Sequence, residues 1–520
     1  MLLTRRSLLT SAAFAATGSR APLHMLPTAG SDRLRVKASF AESHARAPVL
    51  RAGSRKAAGV AVDAARRHFT FDLPGLTPAT RYDLELLDGV TGRAFYGPWP
   101  LRTLPHPEER LARFRLLVYT CAGGHDGVRL PDDNGRPYWV SLANRRKLIG
   151  AGLKMQPDAV LAIGDQVYWD LRFGRASGRA PMGSSDWARQ TVGEFRRDIA
   201  ALDTPNEDVL KRAAGPQIAE LYGTMLQSVP TFFIQDDHDY YENDEAIPPG
   251  ADPHGVSLPP DDFMLQLARG TQALYFPEFL PDPTRPAALN GSGEAYGTIR
   301  FGRAAELLVY DCRRYLSLTG NYAGFISTGA EGWLTARMKA SNAAHVVNVP
   351  STPIGWSAGK WGEWYPDLLN ADGTLSTARP KYMWQAGWKL QHDRLLRAAS
   401  EMTRGVPLFL SGDLHALAHA AIEQNGADDL RRNPVHTMLA GPVSTGPRGW
   451  PSAARGTPPR IATGMGLRET LAPLEMNGVS IVDFLPDKVD VQMLRWKIGR
   501  PESELDALEP FLRYTMPRAV

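Results

Sequence analysis

The sequence predicts an α/β domain preceded by a small all-β domain, and three features of the chain support this. Short apolar runs recur from Phe114 onward, and they end in Gly or a polar residue. Helix-like segments such as "SLANRRKLIGAGLKM" and "HDRLLRAASEM" separate these runs, as in a sheet whose strands are covered on both faces. Before Leu104, shorter alternating segments with turns between them are typical of an antiparallel sandwich.

The first element of the chain has the pattern of an export signal. Arg5 and Arg6 precede the apolar, alanine-rich stretch "SLLTSAAFAATGSRA", which is too short to span a bilayer and ends among small residues. This order of features predicts a twin-arginine signal and a short linker over residues 1–29, with the Tat translocase as a partner during export. A periplasmic or secreted location follows from that prediction.

Composition and charge narrow the class of protein. The chain has 520 residues, 43% hydrophobic and 22% charged, which is ordinary for a globular protein of more than one domain. Its net charge of +4 would fall to +1 without Arg5, Arg6 and Arg20, so the charge gives no support for a nucleic-acid scaffold. The apolar runs are too short for a membrane-spanning helix, and we predict no integral membrane segment in the mature protein.

Residues 30–105 are predicted to form the all-β domain. The stretch "LPGLTPATRYDLEL" resembles the corner of immunoglobulin and fibronectin III domains, in which Tyr82 turns its hydroxyl back to the backbone of the preceding loop. Metal-binding residue types do not cluster in this range, so we predict a supporting or binding role. The stretch "PHPEER" that follows is predicted to be a linker.

Residues 110–497 are predicted to form a catalytic domain, followed by a tail at 498–520. Four of its apolar runs end in residues that bind metals, at "TCAGGHD", "IGDQVYWD", "DDHDYYEND" and "SGDLHALAH". These stretches supply Cys121, His125, Asp126, Asp165, Tyr168, Asp170, Asp236, Asp237, His238, Asp239, Asn243, Asp413, His415 and His419. A Gly-Asp pair after a strand can also be a solvated turn or a helix cap, but four such sites favour a common function.

The predicted chemistry is that of a two-metal hydrolase. Oxygen and nitrogen ligands hold two cations a few Å apart, one carboxylate bridges them, and a bridging hydroxide attacks phosphorus in line with the leaving group. Carboxylates packed together in a folded protein repel one another unless a cation neutralises them. A metal pair therefore explains why an apolar strand ends in "DDHD".

The motifs "GDQVY", "DDHD" with Asn243, and "SGDLH", together with the cysteine after the first catalytic strand, resemble the calcineurin-like metallophosphoesterases. Within that group they are most similar to the alkaline phosphatase D (PhoD-like) family. "LLVYDCRRY", followed by "GAEGWL", and the closing "MNGVSIVDFLPDKVDVQMLRW" also fit the layout of that family. The resemblance implies a four-layer α/β/β/α sandwich and a phosphoesterase that acts on small-molecule phosphate esters.

The same resemblance implies roles for individual residues. Metal ligands would be Cys121, Asp165, Tyr168, Asp237, Asn243 and Asp413. Cys121, Tyr168 and Asp413 would bind Fe³⁺, Asp165 would bridge, and Asp237 with Asn243 would bind Ca²⁺; Zn²⁺ or Mn²⁺ are alternatives. Asp165, His238 and His415 would be catalytic, with the histidines close to the phosphate or the leaving group.

Some residues depart from the family pattern. Asp239 stands where the family commonly has Glu, and Cys312 follows a strand where a small polar residue is more usual. We predict a packing role for Cys312, with a Cys121–Cys312 disulfide as the alternative. Arg313 and Arg314 are open to two interpretations, as phosphate ligands or as surface or ion-paired residues.

Three further features remain open at the level of sequence. His125 either contacts the metals or caps a turn. The tryptophans of "GWSAGKWGEWY" form either a core cluster or a wall of the substrate site. The long segment Leu171 to Ser228 is predicted to be an insertion near the active site.

We therefore predict an exported metal-dependent enzyme that hydrolyses phosphomonoesters, phosphodiesters or both. One alternative is a phospholipase or phosphotriester-type hydrolase with the same metals. Another is a non-catalytic surface binding protein with structural metals, although such a site would not need an open pair of metal ions.

Overall fold

The computed structural model describes residues 20–129, 135–169, 183–240, 260–286, 293, 295–316, 324–358 and 386–518. An N-terminal β-sandwich precedes a larger α/β domain, in which two sheets face each other and helices cover their outer faces. This arrangement confirms the predicted four-layer α/β/β/α sandwich with a small all-β domain before it. Among the described residues, the helices are all too short or too polar to cross a membrane.

The N-terminal sandwich consists of two antiparallel sheets. Its strands are β1 (Pro22–Ala29), β2 (Arg33–Phe40), β3 (Val49–Ala52), β4 (Arg55–Ala58), β5 (Val60–Ala61), β6 (His68–Pro74), β7 (Arg81–Leu87) and β8 (Ala94–Arg102). They pair in the orders β1-β2-β6-β5 and β4-β3-β7-β8. The hydroxyl of Tyr82 accepts a hydrogen bond from the backbone N–H of Thr77 at 2.9 Å, which is the corner predicted from the sequence.

Two boundaries differ from the prediction. Strand β1 lies inside the range assigned to signal and linker, and it pairs with β2 from Pro22↔Phe40 to Ala29↔Leu34. The predicted tail contains a strand, Leu512–Pro517, which extends one sheet of the α/β domain. Both are edge strands that contain proline. Strand β1 is buried along almost its whole length and so lacks the alternating pattern of a half-buried strand, and β24 includes several polar residues.

One sheet of the α/β domain has six strands among the described residues. They are β9 (Phe114–Thr120), β10 (Ala159–Ile163), β11 (Thr231–Ile234), β22 (Asn477–Phe484), β23 (Lys488–Trp496) and β24 (Leu512–Pro517). The order is β11-β10-β9-β22-β23-β24, with β9, β10 and β11 parallel. The carboxyl ends of these three parallel strands therefore meet at one edge.

The second sheet also mixes parallel and antiparallel strands. It contains β12 (Tyr296–Phe301), β13 (Ala305–Tyr310), β14 (His345–Pro350), β16 (Leu408–Ser411), β17 (Leu417–Asn425), β18 (Asp428–Asp429), β19 (Val435–Ala440) and β21 (Met465–Leu474). The order is β12-β13-β14-β16-β19-β17-β18, and β21 pairs with β17. A small ribbon pairs β15 (Trp356–Ser357) with β20 (Arg460–Ile461).

Seven helices occur in the described residues: α1 (Leu142–Lys154), α2 (Gly183–Val192), α3 (Pro205–Gly215), α4 (Asp262–Tyr275), α5 (Thr328–Ala340), α6 (Ala386–Ser400) and α7 (Pro451–Arg455). Side chains at the N-caps of α1, α3, α4 and α5 accept backbone N–H groups, at Ser141, Thr204, Asp261 and Ser327. Short 3-10 helices span Asp237–Tyr240 and Glu502–Ala507, and a wider helical turn spans Pro216–Glu220.

The alternation of side chains along each strand builds the layers. On β9, Leu116 and Val118 enter the core between the two sheets, whereas Leu117 and Tyr119 enter the core beneath α1 and α3. Helices α5 and α6 cover the outer face of the second sheet through a third core. The insertion predicted over Leu171 to Ser228 is described in part, because residues 171–182 lie outside the described residues. Its helices α2 and α3 pack on the same core as β9 and β10.

The two sheets are joined at the carboxyl end of β9. The backbone N–H of Thr120 donates to the carbonyl of Gly441, just after β19, at 3.0 Å. The carbonyl of Thr120 accepts from the N–H of Val443, also at 3.0 Å. This junction brings the ends of β9, β10, β11 and β16 together and so creates the place where their polar side chains meet.

Candidate metal centre

The ends of four strands deliver the predicted metal-binding residues to one buried cluster. Cys121 follows β9, Asp165 follows β10, Asp237 follows β11, and Asp413 follows β16. Their side chains are at most 5% exposed. Functional groups of open α/β sheets gather at the carboxyl ends of strands, and these residues follow that rule.

The backbone at these strand ends is strained. Cys121, Asp165, Asp413 and His415 all have positive φ angles, of 49°, 56°, 64° and 47°. They are half of the eight non-glycine residues with positive φ in the described chain. Such conformations cost about 1–3 kcal/mol each and persist where surrounding structure enforces them, as it does at functional sites.

Two glycines let the strand ends approach each other. A Cβ atom on Gly164, whose φ is +67°, would lie 2.4 Å from the Cβ atom of Asp236. A Cβ atom on Gly412 would lie 2.3 Å from the hydroxyl oxygen of Thr120. The glycines of "IGD" and "SGD" are therefore required for close packing at the site, besides marking the ends of strands.

Asp165 is the centre of the first group of donors. The Cys121 thiol donates to Asp165 Oδ2 at 3.2 Å, and the Tyr168 hydroxyl donates to the same oxygen at 2.9 Å. His415 Nε2 lies 3.2 Å from the Tyr168 hydroxyl and 4.0 Å from Asp165 Oδ2. A thiol, a phenol, an imidazole and a carboxylate thus converge on one point.

His415 is held from behind by a chain of hydrogen bonds that the sequence did not reveal. Its Nδ1 lies 3.1 Å from the hydroxyl of Thr445. Asn477 in turn clamps the backbone of Thr445, accepting from its N–H at 2.9 Å and donating to its carbonyl at 2.8 Å. Partners of this kind orient an imidazole ring and set its tautomer.

A second group of donors shares Asp165 with the first. Asp165, Asp237 and His238 offer ligand atoms within 4.8 Å of one another, as do Cys121, Asp165 and His415. The ring of His238 lies 4.4 Å from the ring of Tyr168. Asp165 Oδ1 is buried and accepts no hydrogen bond from the described residues, so an electron-rich oxygen is available there. This donor set fits a pair of metal ions.

The electrostatics of the cluster also fit cations. Burial raises the pKa of Asp165 well above its ordinary value, and the nearby carboxylates, that of Asp237 first, raise it further. Burial raises the pKa values of the Cys121 thiol and the Tyr168 phenol as well, and the charge of Asp165 adds to both shifts. Bound cations act in the opposite direction, because a positive charge favours the ionised form of each ligand.

Asp239 has a structural place beside the metal donors. Its carboxylate accepts backbone N–H groups from Asp165, Gln166, Val167 and Asp236 at 2.8–3.2 Å. Burial raises the pKa of Asp239 to about 7, and these hydrogen bonds oppose the rise. Asp239 therefore ties the loop after β10 to the loop after β11, which bear Asp165 and Asp237.

The two arginines after β13 are buried and ion-paired. Arg313 Nε donates to Asp236 Oδ1 at 3.0 Å, and a terminal nitrogen donates to Asp413 Oδ2 at 3.3 Å. Arg314 Nε donates to the hydroxyl of Tyr240 at 2.9 Å. The sequence left open whether these arginines bind phosphate or form ion pairs at the surface. The contacts favour ion pairing, but the two side chains are buried.

Several other predicted residues lie away from the cluster or outside the described residues. His125 Nε2 lies 3.3 Å from the carbonyl of Trp169, and burial lowers its pKa to about 4. His419 stacks on His436 within the second sheet, so its inclusion with the strand-end ligands is wrong. Asp126 accepts from the backbone N–H of Leu142 at 3.3 Å. Asp170 and Asn243 fall outside the described residues.

The cysteines settle one of the alternatives, and one tryptophan of the stretch "GWSAGKWGEWY" is described. Cys121 and Cys312 are both free and buried, which rules out the alternative disulfide, and Cys312 packs in the core beneath α5 and α6 as predicted. Trp356 is buried, and its indole N–H donates to Glu469 at 2.8 Å. The later tryptophans of that stretch lie outside the described residues.

The fold that carries the clustered donors has a counterpart among solved structures. A structure titled "Structure of PhoD" aligns over 96% of this chain and 91% of its own length, with 13% identity and a TM-score of 0.60. The calcineurin-like phosphoesterase YfkN from Bacillus subtilis aligns over 78% and 91%, with 8% identity and a TM-score of 0.29, which is too low to support an argument. No curated protein matches the chain.

Residues 146–476 match the family described as PhoD-like phosphatase, and the chain belongs to this family. It is therefore a hydrolase that acts on phosphate esters. The resemblance seen in the motifs "GDQVY", "DDHD" and "SGDLH" is confirmed at the level of the family.

Proposed function

We propose that this protein hydrolyses phosphomonoesters, phosphodiesters or both at a centre of two metal ions. One observation supports the proposal above all others: two groups of donors share Asp165, as a carboxylate that bridges two cations would require. The groups also differ in chemistry: besides Asp165, each has an imidazole, but one adds a thiol and the other adds a second carboxylate.

The donors favour different metals at the two positions. Cys121 and Tyr168 supply a thiolate and a phenolate, which suit Fe³⁺, and the carboxylate of Asp237 suits Ca²⁺. Asn243 is proposed on the calcium side, and Asp413 as a further carboxylate on the iron; Zn²⁺ or Mn²⁺ could take either position. When bound, such ions activate water as the hydroxide nucleophile and neutralise charge on the phosphate.

The histidines are proposed to act on the substrate. His238 and His415 both lie close to Tyr168, with a ring distance of 4.4 Å for His238 and an Nε2-to-hydroxyl distance of 3.2 Å for His415. Each is positioned to hydrogen-bond a phosphate oxygen or to protonate the leaving oxygen. Thr445 fixes the ring of His415 for that purpose.

Export is part of the proposal. Arg5 and Arg6 precede a short apolar run, and this order supports passage through the Tat translocase to the periplasm or the exterior. The pathway carries folded proteins, which suits an enzyme that acquires its metals before export. Comparing the location of the full chain with that of an Arg5→Lys/Arg6→Lys variant tests this part separately.

The experiment that tests the enzyme uses matched chromogenic phosphate monoester, diester and triester substrates. We expect the wild type to hydrolyse the monoester or the diester, and Asp165→Asn to lose more than about 100-fold in rate, because the bridging ligand is removed. Asp198→Asn, the same substitution at an exposed position, serves as the control. Elemental analysis of each preparation identifies the bound metals.

The result also assigns the bond class. The ratio of monoester to diester rates gives the preference, and hydrolysis of the triester alone would favour the phosphotriester alternative. Metal-loaded wild type that hydrolyses neither the monoester nor the diester would overturn the proposed activity.

A further inference from the structure

Arg313 lies inside the cluster of acids that the metals are proposed to share. Its side chain is about 1% exposed, and it follows β13 in a turn where the Asp311 carboxylate accepts the backbone N–H of Arg313 at 2.7 Å. The guanidinium lies 3.0 Å from Asp236, 3.3 Å from Asp413 and 3.8 Å from Asp237. It thus contacts residues from two different strand ends.

The three acids around Arg313 form a group that could itself hold a metal. Ligand atoms of Asp236, Asp237 and Asp413 lie within 4.8 Å of one another, and all three residues are buried. Carboxylates packed this closely away from water need a positive charge among them. The guanidinium of Arg313 supplies that charge permanently, since arginine stays protonated in proteins.

We propose that Arg313 is a built-in cation that takes the place of a metal at Asp236, Asp237 and Asp413. This inference rests on the proposed two-metal function and refines it. The two metals occupy the positions that share Asp165, and Asp237 and Asp413 each keep an oxygen for them. Arg313 replaces only a further metal ion among Asp236, Asp237 and Asp413. Asp236 is then the anchor of the arginine and not a metal ligand, although it stands directly beside the ligand Asp237.

The geometry gives Arg313 a positioning role. A carboxylate has two oxygens and about four lone-pair directions, so contact with a guanidinium on one side leaves the other side for a metal. The planar fork of Arg313 joins the end of β11 to the end of β16 through Asp236 and Asp413. It also accounts for the burial of an arginine that the sequence alone left as a possible phosphate ligand.

The adjacent acids offer a matched pair of variants. Asp236→Asn and Asp237→Asn are the same isosteric change at neighbouring positions, and the metal content of each purified full-length protein is measured by elemental analysis. We expect Asp236→Asn to keep the metal content of the wild type and Asp237→Asn to lose about one equivalent. Equal metal content in the two variants, whether retained or lost, would overturn the proposal.

Variants of Arg313 itself provide a second readout that needs no activity. In chelator-treated, metal-free protein, we expect Arg313→Gln to melt at a lower temperature than the wild type, because the three acids lose their cation. Arg313→Lys keeps a positive charge and is expected to recover most of that loss. A melting temperature of Arg313→Gln equal to that of the wild type would contradict the built-in cation. Metal content and melting are independent of turnover, so these results stand apart from the test of phosphoesterase activity.

Discussion

At the scale of single residues, neighbouring acids in the site have different partners. Asp239 accepts backbone N–H groups from the loops after β10 and β11. Asp236 contacts the guanidinium of Arg313, and Asp165 accepts from the Cys121 thiol. The motif "DDHD" therefore combines an arginine anchor, a proposed metal ligand and a backbone anchor within four positions.

Asp239→Asn tests the backbone anchor. One oxygen of Asp239 accepts from Gln166 and Val167, and the other accepts from Asp165 and Asp236. An amide has a single acceptor oxygen, so two hydrogen bonds are lost whichever way it is oriented, and its NH₂ group then faces backbone donors. We expect the free energy of unfolding to fall by about 2–4 kcal/mol, measured by urea denaturation.

The control for this substitution is Asp198→Asn, whose exposed carboxylate pairs with Arg196. An exposed ion pair contributes little to the free energy of unfolding, so we expect no measurable change in the stability of Asp198→Asn. If Asp239→Asn were as stable as this control, the anchoring role of Asp239 would be wrong.

The sequence indicates which residue types lie at the site but not how they pair. The stretches "GDQVY", "DDHD" and "SGDLH" show in the sequence that residue types able to bind metals follow apolar strands directly. The pairing of Asp239 with Asp165 spans 74 positions, and that of Arg313 with Asp413 spans 100. Such partners depend on how the strands are arranged, which a single sequence does not encode locally.

At the scale of elements, the geometry of the site depends on the close approach of the strand ends. Gly164 and Gly412 sit where any side chain would collide with Asp236 or Thr120. The sequence shows these glycines in "IGD" and "SGD" but gives no distance. Strands with continuous apolar runs, such as β9 and β10, were predictable, whereas the edge strands β1 and β24 were not. Strand β1 directly follows the apolar run of the predicted signal and is buried by contacts that include a backbone hydrogen bond to the carbonyl of Gly223, and β24 is an edge strand in which polar residues are tolerated.

Gly164→Ala tests the close approach, and Gly456→Ala is a matched control. Both glycines have a φ of +67°, but a Cβ atom on Gly456 meets nothing within 4 Å. We expect Gly456→Ala to lower the free energy of unfolding by about 1–2 kcal/mol, because alanine disfavours the left-handed backbone at this position. Gly164→Ala adds a collision with Asp236 and is expected to cost about 1–3 kcal/mol more, measured by urea denaturation. Equal losses in the two variants would show that the strand ends can separate without cost.

At the scale of the whole molecule, the N-terminal sandwich and the α/β domain share one interface and one core. Lys37 on β2 is buried and donates to Glu278 and to the carbonyl of Ala273 on α4, both at 2.9 Å. Apolar residues of both domains belong to a single continuous cluster. The sequence predicted two domains from their different patterns, but it could not show this contact, because its partners lie more than 200 positions apart.

We expect His24 to make the stability of the protein sensitive to pH through its burial at this interface. It lies on β1, where Nε2 donates to the carbonyl of Tyr275 at the end of α4 at 2.9 Å, and Nδ1 lies 2.6 Å from the hydroxyl of Ser39. A carbonyl only accepts, so Nε2 carries the proton. Burial lowers the pKa of His24 from 6.5 to about 3, against a smaller opposing effect of the Tyr275 carbonyl.

The sign of the pH effect follows from this shift. Above pH 6.5 the imidazole is neutral in both states, and its contribution to stability is complete. Between pH 6.5 and 3 the unfolded chain binds a proton that the folded chain does not, so the free energy of unfolding falls as the pH falls. One such group contributes a slope of up to about 1.4 kcal/mol per pH unit in that window.

His24→Gln keeps an N–H donor for the Tyr275 carbonyl and removes the titration. We expect its free energy of unfolding, measured in urea between pH 6 and 4.5, to fall less steeply than that of the wild type, by about 1 kcal/mol per pH unit. His106→Gln, at an exposed position in the linker, should keep the wild-type slope. Acid release of metals affects the wild type and both variants alike, because neither histidine lies in the metal cluster. Identical slopes in the wild type and His24→Gln would mean that the folded protein does not hold the pKa of His24 below that of the unfolded chain.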